Sequence, residues 1–201
     1  MPPASLTNIA DNIPLIPEII FSPYVNVDGT GTNVRKIVIN FSSNLIADLA
    51  ITFTAVNEFG LIVEENVTIA EGFDSVSTQG FYSKLYKISF TDPPQNYTID
   101  IGCLNGYSPW IGGQYFRQSH QIIVTGGVVF TVYGTLTDDF KPTITTTSAD
   151  FYPFPLSTAL TNATATILTP AVIEYPTGNV RIALSDGSGS LVWKVGNMMV
   201  L

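Results

Sequence analysis

Between Val34 and Ile101 apolar side chains return at every second position, and this alternation limits the fold more than any other feature of the chain. Val34-Arg35-Lys36-Ile37-Val38-Ile39 leads to Ile51-Thr52-Phe53-Thr54-Ala55-Val56, to a run from Leu61 to Ile69, and to two further alternating runs. Each stops at a turn signal after about 6 residues, the mean length of a strand. A strand sends successive side chains to opposite faces, so a period of two buries one face and exposes the other. No comparable stretch carries a helical period of about 3.6 residues. The pattern predicts an all-β chain of two consecutive antiparallel β-sandwich modules, jelly-roll or Ig-like, behind an extended N-terminal arm.

The division follows composition. Residues 1–33 are punctuated by Pro2, Pro3, Pro14, Pro17 and Pro23, which fix φ and remove backbone donors. That stretch reads as extended chain, yet Leu15, Ile16, Ile19, Ile20 and Phe21 make it too apolar for a solvated tail. Such an arm needs a surface, and these five residues are the candidate intersubunit contacts. Folding back on its own module is the alternative. The first sandwich is placed at 34–105, with Ile37, Ile39 and Phe41 on one face, and Ile51, Phe53 and Ala55 on one face of the next strand. Asn57-Glu58-Phe59-Gly60 is its clearest hairpin turn. The second sandwich is placed at 106–201. Gly126-Gly127 and Asp186-Gly187-Ser188-Gly189 both read as hairpin turns, and 137–161 as a long loop.

Charge excludes whole classes of partner. The formal net charge is −8 and only eight Lys and Arg are present, so no nucleic-acid groove is expected. No apolar run of about 18 residues could span a membrane. The first 34 residues hold neither Lys nor Arg, which is unlike the basic start of a secretory signal. Charged residues make up 12% of the chain against about 25% in ordinary domains, and such a surface suits contact with other subunits. A surface rich in Thr, Ser and Asn is the plainer reading.

Candidate chemistry is sparse. Asp138-Asp139 could contribute to a Ca²⁺ site, but only Asp150 is near in sequence, so a solvated turn is favoured. Glu64 and Glu65 are adjacent on a strand and must face opposite ways, which denies them a shared acid–base role and suits an edge-strand charge. His120 is the only histidine and the adjacent Ser119 stands in no nucleophile motif, so a structural or surface histidine is favoured over a triad member, and one His with one Cys, Cys103, makes a zinc site unpromising. Cys103 continues the alternation of Tyr97, Ile99 and Ile101 and is expected to be buried and inert. Asp28-Gly29-Thr30-Gly31-Thr32 lacks the Lys and helix of a phosphate loop and reads as a turn. Tyr107, Trp110, Tyr115 and Phe116 could stack on a sugar or pack a junction between modules. No catalytic, metal-binding or cofactor-binding residue is assigned, and no enzyme activity is expected.

Several segments taken in order resemble a family of tailed-bacteriophage virion structural proteins. Ile51-Thr52-Phe53-Thr54 before a Gly-ended turn, then Glu64-Glu65-Asn66-Val67-Thr68-Ile69, is similar to a recurring strand pair in those proteins. Phe81 to Ser89, Ser108-Pro109-Trp110-Ile111, Val124 to Val132, Thr137-Asp138-Asp139-Phe140 and Asn179 to Leu184 resemble its later segments. The likeness runs over about 34–195 and leaves the 1–33 arm without a counterpart.

This resemblance implies a component of the phage particle, made in the host bacterial cytoplasm, with no enzymatic activity and no cofactor. It points to a capsid decoration (cement) protein, a homo-oligomer such as a trimer, bound to the major capsid protein or other virion proteins. A tail or neck component, or a carbohydrate- or receptor-binding module, are the alternatives.

Overall fold

In the computed structural model every described element is a strand, and the ladders with a given register are antiparallel. Residues 4–31, 33–108, 111–112, 118–135, 154–155, 167–173, 179–186 and 189–197 are described. The chain divides into two compact units, one of Ala4–Gly106 and one of the residues from Tyr107 on.

The first unit grows from a hairpin. In β4 (Leu49–Asn57) the residues Leu49, Ile51, Phe53 and Ala55 are buried, while the alternate positions Ala50, Thr52 and Thr54 are not. Asn57 turns the chain: its side-chain oxygen accepts from the backbone N–H of Phe59 and of Leu61, both at 3.0 Å. Gly60 supplies the positive φ of +80° that this turn requires. The return strand β5 (Ile62–Ile69) then pairs without a slip from Leu49↔Ile69 to Val56↔Ile62. On the far side of β4 lies β7 (Tyr82–Phe90), and outside it β2 (Glu18–Asn26). A second ladder centres on β8 (Thr98–Tyr107), flanked by β1 (Ser5–Pro14) and β3 (Val34–Phe41), with β6 (Ser75–Ser77) on β3. Both ladders feed one core: Ile37 and Ile101 from the second meet Phe53 and Ile88 from the first. Each such side chain, fully buried, contributes about 1.5–3 kcal/mol.

The N-terminal segment is not an unpaired arm. Ser5 pairs with Cys103 and Pro14 with Thr98, while Glu18 pairs with Ser89 and Asn26 with Lys84. Residues 5–26 are thus two strands of the first unit, which begins at Ala4 rather than at residue 34. The prolines misled because they exclude a central strand but not an edge one. Pro14 ends β1, and Pro23 falls where the β2–β7 register shifts between Ile20 and Val25.

The second unit contains β9 (Ile111–Gly112), β10 (Gln118–Thr125), β11 (Val129–Thr135), β12 (Phe154–Pro155), β13 (Ile167–Ile173), β14 (Asn179–Asp186) and β15 (Ser190–Asn197). One ladder runs β13-β10-β15; in the other β11 joins β12 to β14, and β14 also pairs β9 and Tyr107. Phe130, Val132, Val180 and Ile182 from one ladder enclose a core with Ile122 and Leu191 from the other.

Neither glycine turn of this unit is a hairpin. β10 pairs with β13 and β15, whereas β11, which follows it, pairs with β12 and β14. The chain therefore changes ladder at Gly126-Gly127, and again between the end of β14 and the start of β15. The two corners touch: Gly189 N–H donates to the Gly127 carbonyl at 3.1 Å. A Cβ on Gly189 would lie 2.3 Å from the Thr125 carbonyl oxygen, so this approach admits only glycine. A pair of glycines beside alternating strands signals a sharp turn, and the partner of each strand is chosen later by the packing of the core.

Candidate interaction surface

The face of β2-β7-β4-β5 turned away from the core is where the first unit breaks the rule of polar outward residues. Ile20, Lys87, Thr54 and Glu64 stand in register across the four strands. Ile20 is 66% exposed and Ile62 63% exposed. Between them runs an open groove of about 410 Å³, lined by Ile20, Phe21, Thr54, Ile62, Tyr86 and Lys87 among others. The hydroxyl of Thr54 is shielded from solvent and has no hydrogen-bond partner among the described residues. Such a group is left short by about 1–3 kcal/mol.

Aromatic and charged groups frame the groove. The rings of Tyr24 and Tyr86 meet edge to face with centroids 5.7 Å apart, and Lys84 sets its ammonium 4.3 Å above the Tyr24 ring. Lys87 reaches Glu18 at 3.1 Å. Both partners are substantially exposed, so this ion pair contributes little stability and mainly fixes the position of the Lys87 head.

A different feature stands at the end of the same unit, where the 42–48 connection meets the 70–74 turn. Ile46 is 75% exposed and Phe73 62% exposed. These side chains sit on a rigid base. Leu45 is buried, its N–H donates to the Phe73 carbonyl at 2.9 Å, and its own carbonyl accepts from Gly72 N–H at 2.9 Å. Asn44 Nδ2 donates to the Gly72 carbonyl at 2.7 Å, and Asp48 accepts from Glu71 N–H at 2.8 Å. Asp48, Glu71 and Asp74 are exposed around the two apolar side chains, and no Lys or Arg lies between Lys36 and Lys84.

The five candidate contacts divide unevenly. Leu15 and Ile19 are buried in the core of their own unit and Phe21 packs partly against it, while Ile16 and Ile20 remain exposed. Sequence reasoning missed Ile46, Ile62 and Phe73. Ile62 had a signal: it occupies the phase of β5 otherwise held by Glu64, Asn66 and Thr68. An apolar residue in the polar phase departs from the alternation that puts polar side chains on the outward face.

Other polar groups serve the fold. Asp28, almost fully buried, accepts from the backbone N–H groups of Thr30, Gly31 and Asn33 and from the side chains of Thr30 and Asn33. Burial alone would raise its carboxyl pKa, but the hydrogen bonds from Thr30, Asn33 and Gly31 outweigh it and hold the group below the usual carboxylate range. Glu64 and Glu65 do face opposite ways: Glu64 is exposed, and Glu65 binds Gln79 N–H, Gly80 N–H and the Tyr82 hydroxyl. Cys103 is buried, and desolvation pushes its thiol pKa up, against the direction reactivity needs. Tyr107 has a ring face taken by Arg181, whose guanidinium carbon is 3.9 Å from the centroid. Trp110, Tyr115, Phe116, Asp138, Asp139 and Asp150 lie outside the described residues, as does the side chain of His120. Among the described residues, no three His, Cys, Asp or Glu side chains converge on a possible metal position, and no helix is long and apolar enough to cross a membrane.

No protein-family model, curated protein or solved structure matches this chain.

Proposed function

We propose that this chain is a structural protein of a tailed-bacteriophage virion, a capsid decoration (cement) protein that stabilises the head shell through subunit contacts. The ordered resemblance over 34–195 supplies the class. The single geometric observation that supports a contact-making role is the pair Ile20 and Ile62, held exposed on the outward face of a well-packed sheet. Apolar area covered at a shell surface is worth about 25 cal/mol per Å² before the costs of association.

Each unit is best read as a β-sandwich. In the first, β1-β8-β3-β6 and β2-β7-β4-β5 would be the two layers: both contribute to one core, and they are joined where β3 pairs β7 at Arg35↔Tyr82. In the second, β13-β10-β15 and β12-β11-β14 likewise contribute to one core. In the second unit the connections between consecutive strands β10 and β11, and β14 and β15, cross from one ladder to the other.

The test is stoichiometry. Quantitative mass spectrometry of purified virions should find this chain at a copy number comparable to the shell protein. A few copies per particle would move it to the tail or neck, and absence would end the virion reading.

A further inference from the structure

We infer that the groove of one copy receives the Ile46–Phe73 knob of a second copy, so that the chain associates head to tail. This inference rests on the subunit-contact reading above and names both halves of the contact.

Shape supports it first. The knob presents two large apolar side chains on a base fixed by four hydrogen bonds, so little conformational freedom is lost when it is inserted. The groove offers about 410 Å³ between Ile20, Ile62 and the Tyr86 ring. Phe73 entering there would meet the Tyr24–Tyr86 edge-to-face pair, and aromatic groups favour that geometry.

Charge supports it independently. The knob carries Asp48, Glu71 and Asp74 with no basic residue nearby in sequence. Beside the groove stand Lys84 and Lys87, two of the eight basic residues in a chain of net charge −8. Glu18 and Glu64 balance them, which leaves this face neutral where much of the chain is acidic. An acidic knob from another copy is therefore repelled less at this position than against the acidic remainder of the chain.

The knob cannot occupy the groove of its own copy. Thr54 lies five residues along β4 from Leu49, about 17 Å at the rise of a strand, and the knob sits beyond the Leu49 end. The contact is heterologous, so it propagates or closes into a ring, of which a trimer is one example. Two inserted side chains cover less than a standard interface, so one contact has an affinity of about micromolar or weaker and gains strength by repetition on a particle.

Sedimentation velocity over a concentration series tests the contact with the purified full chain. The wild-type chain should associate reversibly, and Phe73→Asp (knob) or Ile62→Asp (groove) should each weaken association about tenfold or more. Both residues are exposed, so thermal melting should confirm intact folds. An equimolar mixture of the two variants should form a one-to-one dimer and nothing larger, because one sound knob and one sound groove remain. A wild-type chain that stays monomeric, single variants that associate normally, or a mixture that stays monomeric would each overturn the inference. Those outcomes leave the virion reading to be decided by copy number, and absence from virions leaves this contact to be decided here.

Discussion

The hydroxyl of Tyr82, on β7, donates to the carboxylate of Glu65, on β5, and the same carboxylate accepts from the backbone N–H of Gln79 and Gly80. An inward-facing acid on an edge strand is thus given three donors. Replacing Tyr82 by Phe should cost about 1–2 kcal/mol in urea unfolding, because the other donors remain. Burial, followed by the hydrogen bond and charge of Glu65, pushes the Tyr82 pKa well above its ordinary value. The sign follows from proton binding: the folded state holds this proton more tightly than the unfolded one. The stability that this Tyr82 proton contributes should be level below a pH of about 10 and fall above it, and Tyr82→Phe should flatten that fall.

Asp28 predicts the opposite pH dependence. Its carboxyl is held below the usual range in the folded chain, so the stability it confers is present above a pH of about 3.9 and is lost as pH falls through the folded value. Asp28→Ala removes the acceptor of three backbone N–H groups and should cost about 2–4 kcal/mol. Acid titration of the melting temperature checks both: the variant should start lower and lose less on acidification.

Deleting residues 1–26 separates a detachable arm from an integral pair of strands. β1 and β2 cover β8 and β7, and Leu15 and Ile19 belong to the core. The truncated chain should lose cooperative unfolding and expose dye-binding apolar surface. A truncated chain that melts like the full one would restore the arm.

Gly189→Val tests the paired corners of the second unit. The new Cβ would lie 2.3 Å from the Thr125 carbonyl and 2.6 Å from Val128 Cγ2, so the backbone must move. Loss of about 2 kcal/mol or more is expected in denaturant unfolding. Gly127→Ala, where a Cβ meets nothing within 4 Å, should be close to neutral.

What could be read in advance was what depends on neighbours in sequence. The phase of β4, the Asn57–Gly60 turn, the opposite faces of Glu64 and Glu65 and the buried Cys103 follow from alternation and local turn chemistry. What could not be read depends on partners distant in the chain. Nothing local tells β10 that it pairs with β15 rather than β11, or β1 that its partner is β8, about 90 residues on. The exposed apolar residues fell between these cases. Ile20 lies among prolines and aliphatics, whereas Phe73 is a single apolar residue in a polar turn, and Ile46, beside Leu45 and Ala47, carries no alternation to mark it as exposed. They become a feature only when Leu45 and Phe73 are brought together.

A cryo-EM map of the virion decides whether this chain decorates the head shell. Ordered density for both units is expected on the outer surface of the shell, repeated over many equivalent positions and in contact with the major capsid protein. Density confined to the tail or neck, or a complete particle in which no density fits this chain, would contradict this placement.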